Sequence, residues 1–86
     1  MKLKSTVKRY YSIGEVASKF NVNPSLIRYW EKEFKQIKPK IFSGKRRYYD
    51  EKTINLLKKI KYLLKDKGMT LNGVKKVLKY GDSYID

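Results

Sequence analysis

The sequence predicts a mainly α domain of about four helices, with a small two-stranded β wing between the second and third. Three observations predict it. Apolar residues recur at helical spacing in four segments, within 13–20, 26–34, 54–64 and 71–78. A residue that favours a helix start precedes each segment: Ser12, Asn23, Asp50 and Thr70. After the second segment the helical period stops at Pro39, and Gly44 lies between two short runs suited to strands.

Ser12 opens the first helix. Ser12 and Glu15 have the S-x-x-E spacing of a capping box. Ile13, Val16, Ala17 and Phe20 follow at i, i+3, i+4 and i+7. Gly14 in the first turn has two readings, a close approach for a phosphate at the helix N-terminus or a merely tolerated glycine. Asn21, Val22 and Asn23 form the turn, with Val22 as its apolar plug. Asn23 is the N-cap and Pro24 the first residue of a second helix, expected over 24–34. At about 100° per residue, Leu26, Ile27, Trp30 and Phe34 share one side of that helix. Ser25, Arg28, Tyr29 and Lys32 share the other. Arg28 and Lys32 are like charges at i, i+4, a repulsion that a nearby phosphate would relieve. An ordinary solvated face is the alternative, and exposed Tyr29 among cations fits it poorly.

Lys40 to Phe42 and Lys45 to Tyr49 flank Ser43-Gly44, a hairpin turn in which glycine supplies a positive φ. From Lys35 to Tyr49 there are six basic residues and no acidic one. Two short helices joined by a tight turn and followed by a basic hairpin make a winged helix-turn-helix. Lys45, Arg46 and Arg47 are the wing's candidate phosphate contacts, since an arginine fork suits phosphate geometry. Asp50 caps a third helix expected to reach Lys67 and stop at Gly68, with Ile54, Leu57, Ile60 and Leu64 inward. Its outer lysines read as a solvated face. Thr70 caps a short fourth helix with Leu71, Val74 and Leu78 inward, weakened by Gly73 at about 1 kcal/mol relative to alanine. The expected core is Ile13, Val16, Phe20, Ile27, Trp30, Tyr49, Leu57 and Ile60. The expected organisation is a flexible basic arm over 1–10, one folded domain over 11–79 and a frayed tail over 80–86. For the arm, phosphate tracking and simple solvation are both open.

Composition narrows the function. Twenty-two basic and 8 acidic residues give a formal charge of +14, which predicts attraction to a polyanion. A generally lysine-rich proteome is the rival explanation for the number of charges, though not for their placement. With no cysteine and no histidine, thiolate chemistry, thiolate metal sites and the commonest general base are absent. No catalytic constellation, metal site or cofactor is expected. Apolar runs fall far short of the ~20 residues of a membrane span, and no signal peptide is recognisable, so a cytoplasmic, nucleoid-associated chain is expected.

YYSIGEVASKFNVNPSLIRYWE, then RRYYDEKTINLLKKI, then KGMTLNGVKKVL resembles the MerR family of transcriptional regulators over roughly Tyr11 to Leu78. The most specific pieces are I-R-Y-W-E at 27–31, R-x-Y at 47–49 and G-M-T-L at 68–71. The resemblance implies a winged helix-turn-helix that binds operator DNA. It implies DNA contacts from Arg28 and Tyr29 and a wing arginine at Arg47, with Ile27, Trp30 and Leu57 in the core. Gly44 stands three residues before Arg47 rather than two, which implies a longer wing turn in which Arg46 shares the role. Asn72-Gly73 replaces acidic residues usual in the fourth helix. The sequence stops where that family continues into a long pairing helix, so a monomer is expected, pairing on DNA or within a longer parent protein. Double-stranded DNA is the expected partner. The competing functions are an excisionase-like architectural protein and a basic protein-interaction module.

Overall fold

The computed structural model describes residues 10–81. Its elements are β1 (Tyr10–Ser12), α1 (Ile13–Phe20), α2 (Pro24–Glu33), β2 (Lys40–Phe42), β3 (Arg46–Asp50), α3 (Glu51–Lys61) and α4 (Leu71–Tyr80). Most of the basic arm (1–9) and of the C-terminal tail (82–86) lies outside the described residues.

The capping box at α1 is complete. The Ser12 amide donates to Glu15 Oε1 at 2.9 Å, and the Glu15 amide donates to Ser12 Oγ at 3.2 Å. Two otherwise orphaned donors are satisfied reciprocally. Ser12→Ala should therefore cost about 0.5–2 kcal/mol, read as a lower melting temperature. An unchanged melting temperature would contradict the box. Asn21 ends α1 in the left-handed region at φ 57, which asparagine tolerates better than most residues. Half-buried Val22 then donates its amide to the Ala17 carbonyl at 2.9 Å and packs on the core.

Asn23 holds the N-cap position of α2, but its side chain makes no capping bond; Pro24 follows at the first turn. The helix ends at Glu33, one residue short of the expected end. Phe34 turns into extended backbone, and both Phe34 and Ile37 reach the core from there.

The expected two-stranded wing is the hairpin β2–β3, and β1 adds a third strand to it, giving an antiparallel sheet in the order β1-β3-β2. Tyr10, the last residue of the expected arm and expected with Tyr11 to dock onto the domain, is the first residue of β1. Cross-strand side chains account for it. Tyr10 meets Phe42 edge-on at 5.2 Å between centroids, and Phe42 meets Tyr48 at 5.3 Å. Such pairs stabilise a sheet beyond their backbone bonds. On the opposite face Tyr11 lies across from Tyr49, which is fully buried. The hairpin turn is a three-residue loop closed by the pair Phe42 and Arg46. Gly44 has φ 84, as a tight turn requires, and Lys45 is also left-handed at φ 59.

Asp50 caps α3, accepting from the Thr53 amide at 2.9 Å, and that bond holds its carboxyl below the usual range. Ile54, Leu57, Ile60 and Leu63 are buried. The pattern predicts an α-helix to Lys67, but the helix gives way at Tyr62–Asp66 to one wide π turn. The Lys67 amide reaches the Tyr62 carbonyl and the Met69 amide reaches Leu63, with Gly68 reversing the chain at φ 68. α4 runs on to Tyr80, past the expected boundary at 79, and Gly81 follows at φ 99. A Cβ at Gly73 would stand 3.2 Å from Met69 Cε and 3.3 Å from Thr70 Oγ1. The glycine thus leaves room beside the Thr70 cap, at the cost of its low helix propensity.

Val16, Phe20, Ile27, Trp30, Tyr49, Leu57 and Ile60 are buried in one cluster, and Ile13 is half-buried against it. Leu71 and Leu78 are only partly buried; Val74 and Val77 carry the inner face of α4. Among the described residues, no helix is long and apolar enough to cross a membrane.

Candidate nucleic-acid interface

The core fixes which side of α2 faces out. Ile27 and Trp30 are buried, so Ser25, Arg28, Tyr29 and Lys32 are exposed, with Tyr29 at 44%. Tyr29 is thus a large aromatic left exposed among the cations Arg28 and Lys32.

Arg28 also belongs to a cleft of about 330 Å³ between α2 and the wing. Lys45, Arg46 and Arg47 line its wing side, and Ser12, Ile13 and Tyr48 complete it. Four of the seven residues singled out for DNA contact are therefore brought to one concavity. Ser25, Tyr29 and Lys32 are not among its lining residues; they continue the surface along α2. The contribution of Ser12 and Ile13 escapes the sequence, where both look purely structural. Tyr48 escapes it too, although its alternation with buried Tyr49 along a strand is readable.

The carboxylates of α2 flank this surface. The helix has two, Glu31 and Glu33. At about 100° per residue they fall on opposite edges of the Ser25–Arg28–Tyr29–Lys32 face. Each is held in an ion pair. Arg47 Nε donates to Glu31 Oε2 at 3.0 Å, and Lys75 Nζ donates to Glu33 Oε1 at 3.1 Å. The Tyr49 hydroxyl donates to the other Glu31 oxygen at 3.2 Å. Burial and the Glu31 carboxylate push the Tyr49 phenol far above its ordinary pKa, so it remains a donor. Glu31 in turn pushes the Arg47 guanidinium up, so it remains charged. Arg47 is thus engaged with α2 as well as lining the cleft.

Among the described residues, no group of three or more carboxylates could hold a metal ion. What the surface offers chemically is cations, hydroxyls and one exposed aromatic ring on a rigid helix, beside a cationic hairpin.

A family model described as MerR HTH family regulatory protein matches residues 11–81. The chain belongs to the MerR family. Similar curated proteins include the HTH-type transcriptional regulator MlrA of Escherichia coli (strain K12) and that of Salmonella typhimurium (strain SL1344). Each is 32% identical to this chain over 68 residues, covering 79% of the chain and 28% of the relative. The chain therefore spans a little over a quarter of the length of these relatives. No solved structure matches it significantly. The matched MerR segment contains every helix and strand from α1 to α4, together with the cleft's wing residues.

Proposed function

We propose that the chain binds double-stranded DNA in a sequence-specific manner and serves as a transcriptional regulator or its DNA-reading part. The outward face of α2 enters the major groove, which is wide enough for one helix. The wing lies along the neighbouring backbone or minor groove. Arg28, Lys32, Lys45, Arg46 and Arg47 supply phosphate contacts and most of the affinity. Ser25, Arg28 and Tyr29 supply base contacts and choice.

The observation that carries this reading is the meeting of Arg28 with Lys45, Arg46 and Arg47 at one cleft, beside an α2 face whose own carboxylates are both paired, Glu31 with Arg47 at the cleft and Glu33 with Lys75 on α4. Membership of a family of regulators supports it over an architectural role or a protein-interaction module.

Selection from a random duplex pool tests the proposal. The chain should enrich one preferred site, and enrichment of none would overturn sequence-specific binding. On that site Tyr29→Ala should weaken binding by about tenfold or more, the range for removing one base interaction, and much less on random duplex. Equal effects on both would remove Tyr29 from the specificity residues.

A further inference from the structure

One carboxylate on α2 grips two residues of the wing. Arg47 and Tyr49 are two apart in β3 and so share a face of the sheet. Glu31 receives both, Arg47 Nε at 3.0 Å on one oxygen and the Tyr49 hydroxyl at 3.2 Å on the other. The Glu31 side chain is only 15% exposed, whereas that of Arg47 is 44% exposed and lines the cleft.

Two physical consequences follow. A guanidinium carries five N–H donors, and Glu31 engages the one at Nε. The Nη edge of the same fork can therefore bind a phosphate oxygen while the Nε edge stays on Glu31. Arg47 also stands in a cleft with Arg28, Arg46 and Lys45, cations that repel one another before any anion arrives. A half-buried carboxylate beside Arg47 lowers that repulsion and orders the arginine in advance, so less side-chain entropy is lost on binding.

We infer that Glu31 is a positioning residue for DNA: it locks the wing to the recognition helix and presents the Nη edge of Arg47 to a backbone phosphate. This role rests on the proposed DNA binding and deepens it. It also reverses the usual expectation for an acidic residue in a DNA-binding surface. A bystander carboxylate repels the duplex, so its removal tightens binding. A positioning carboxylate weakens binding when removed, although the protein becomes more positive.

Glu31→Gln separates the two by sign. The glutamine side chain keeps one carbonyl oxygen for the Tyr49 hydroxyl and puts an NH2 donor in place of the charged acceptor that holds Arg47. Affinity for the duplex that the unchanged chain selects from a random pool should fall about tenfold, the order for one charge-assisted hydrogen bond. Affinity for random duplex should fall as well, because a backbone-phosphate contact is made on any sequence. In an Arg47→Ala background the same substitution should no longer weaken binding to the selected duplex. Equal or tighter binding of the selected duplex by Glu31→Gln overturns the role and leaves DNA binding standing. If the unchanged chain selects no duplex, the DNA reading falls and this role falls with it. Should Glu31→Gln fail to fold, Arg47→Lys carries the test, because a lysine keeps the charge but has no second edge. A comparable loss on the selected duplex is then expected, and full affinity would overturn the role.

Discussion

Trp30→Ala should leave little folded protein at physiological temperature. Trp30 is 1% exposed and is one of the largest fully buried side chains. It belongs to the same buried cluster as Val16, Ile27, Tyr49 and Leu57, to which α1, the sheet and α3 all contribute. Truncating a buried aromatic to alanine costs about 3–5 kcal/mol, because the surroundings fill the cavity only in part. Small domains have total stabilities starting near ~5 kcal/mol, so such a loss is most or all of the margin. For a domain of this size the melting temperature should drop by more than about 12 °C, followed by circular dichroism. A drop under about 4 °C would mean that Trp30 does not sit in a packed core. The outward face of α2 would then lose the constraint that aims it.

The second large effect is on binding. Replacing Arg28 and Arg46 together by alanine should weaken the selected duplex by about a hundredfold or more. The two residues lie on opposite elements of one cleft, so each would make its own contact with a bound duplex. The dependence of affinity on salt should also flatten by about two units of slope, one for each phosphate no longer neutralised. Lys58→Ala with Lys61→Ala removes the same charge from α3, away from the cleft's lining residues. That pair should change affinity only slightly, through the long-range field. Comparable losses from both pairs would show that overall charge, and not this surface, governs binding.

Local patterns make much of the fold legible. Ser12 and Glu15 announce a capping box through spacing alone, and Asp50 and Thr70 announce caps that the structure displays. The apolar stripe of α2 marks Ile27 and Trp30 as buried, and hence Arg28 and Tyr29 as exposed, because a helix repeats over a few residues. What escapes is non-local. Tyr10–Ser12 is too short to show a period, and it becomes a strand only by pairing with β3, far along the chain. The ion pairs Glu31–Arg47 and Glu33–Lys75 join residues 16 and 42 positions apart, and neither spacing carries a signature. They decide how the α2 surface presents its charge, so composition can forecast a basic face but not how its acids are neutralised. The π turn at Tyr62–Asp66 escapes for a different reason. The sequence places the reversal at Gly68 correctly, but the chain reaches it with one wider turn in place of a continued α-helix.

If α2 and the wing act as one DNA-binding surface, both should respond to a bound duplex together. Amide chemical-shift mapping of the isotope-labelled chain, titrated with its selected duplex, tests it most directly. The largest shifts should cluster at Ser25, Arg28, Tyr29 and Lys32 and at Lys45 to Arg47, moving together in one binding event. Largest shifts on the outer lysines of α3, with 25–32 and 45–47 unmoved, would contradict it.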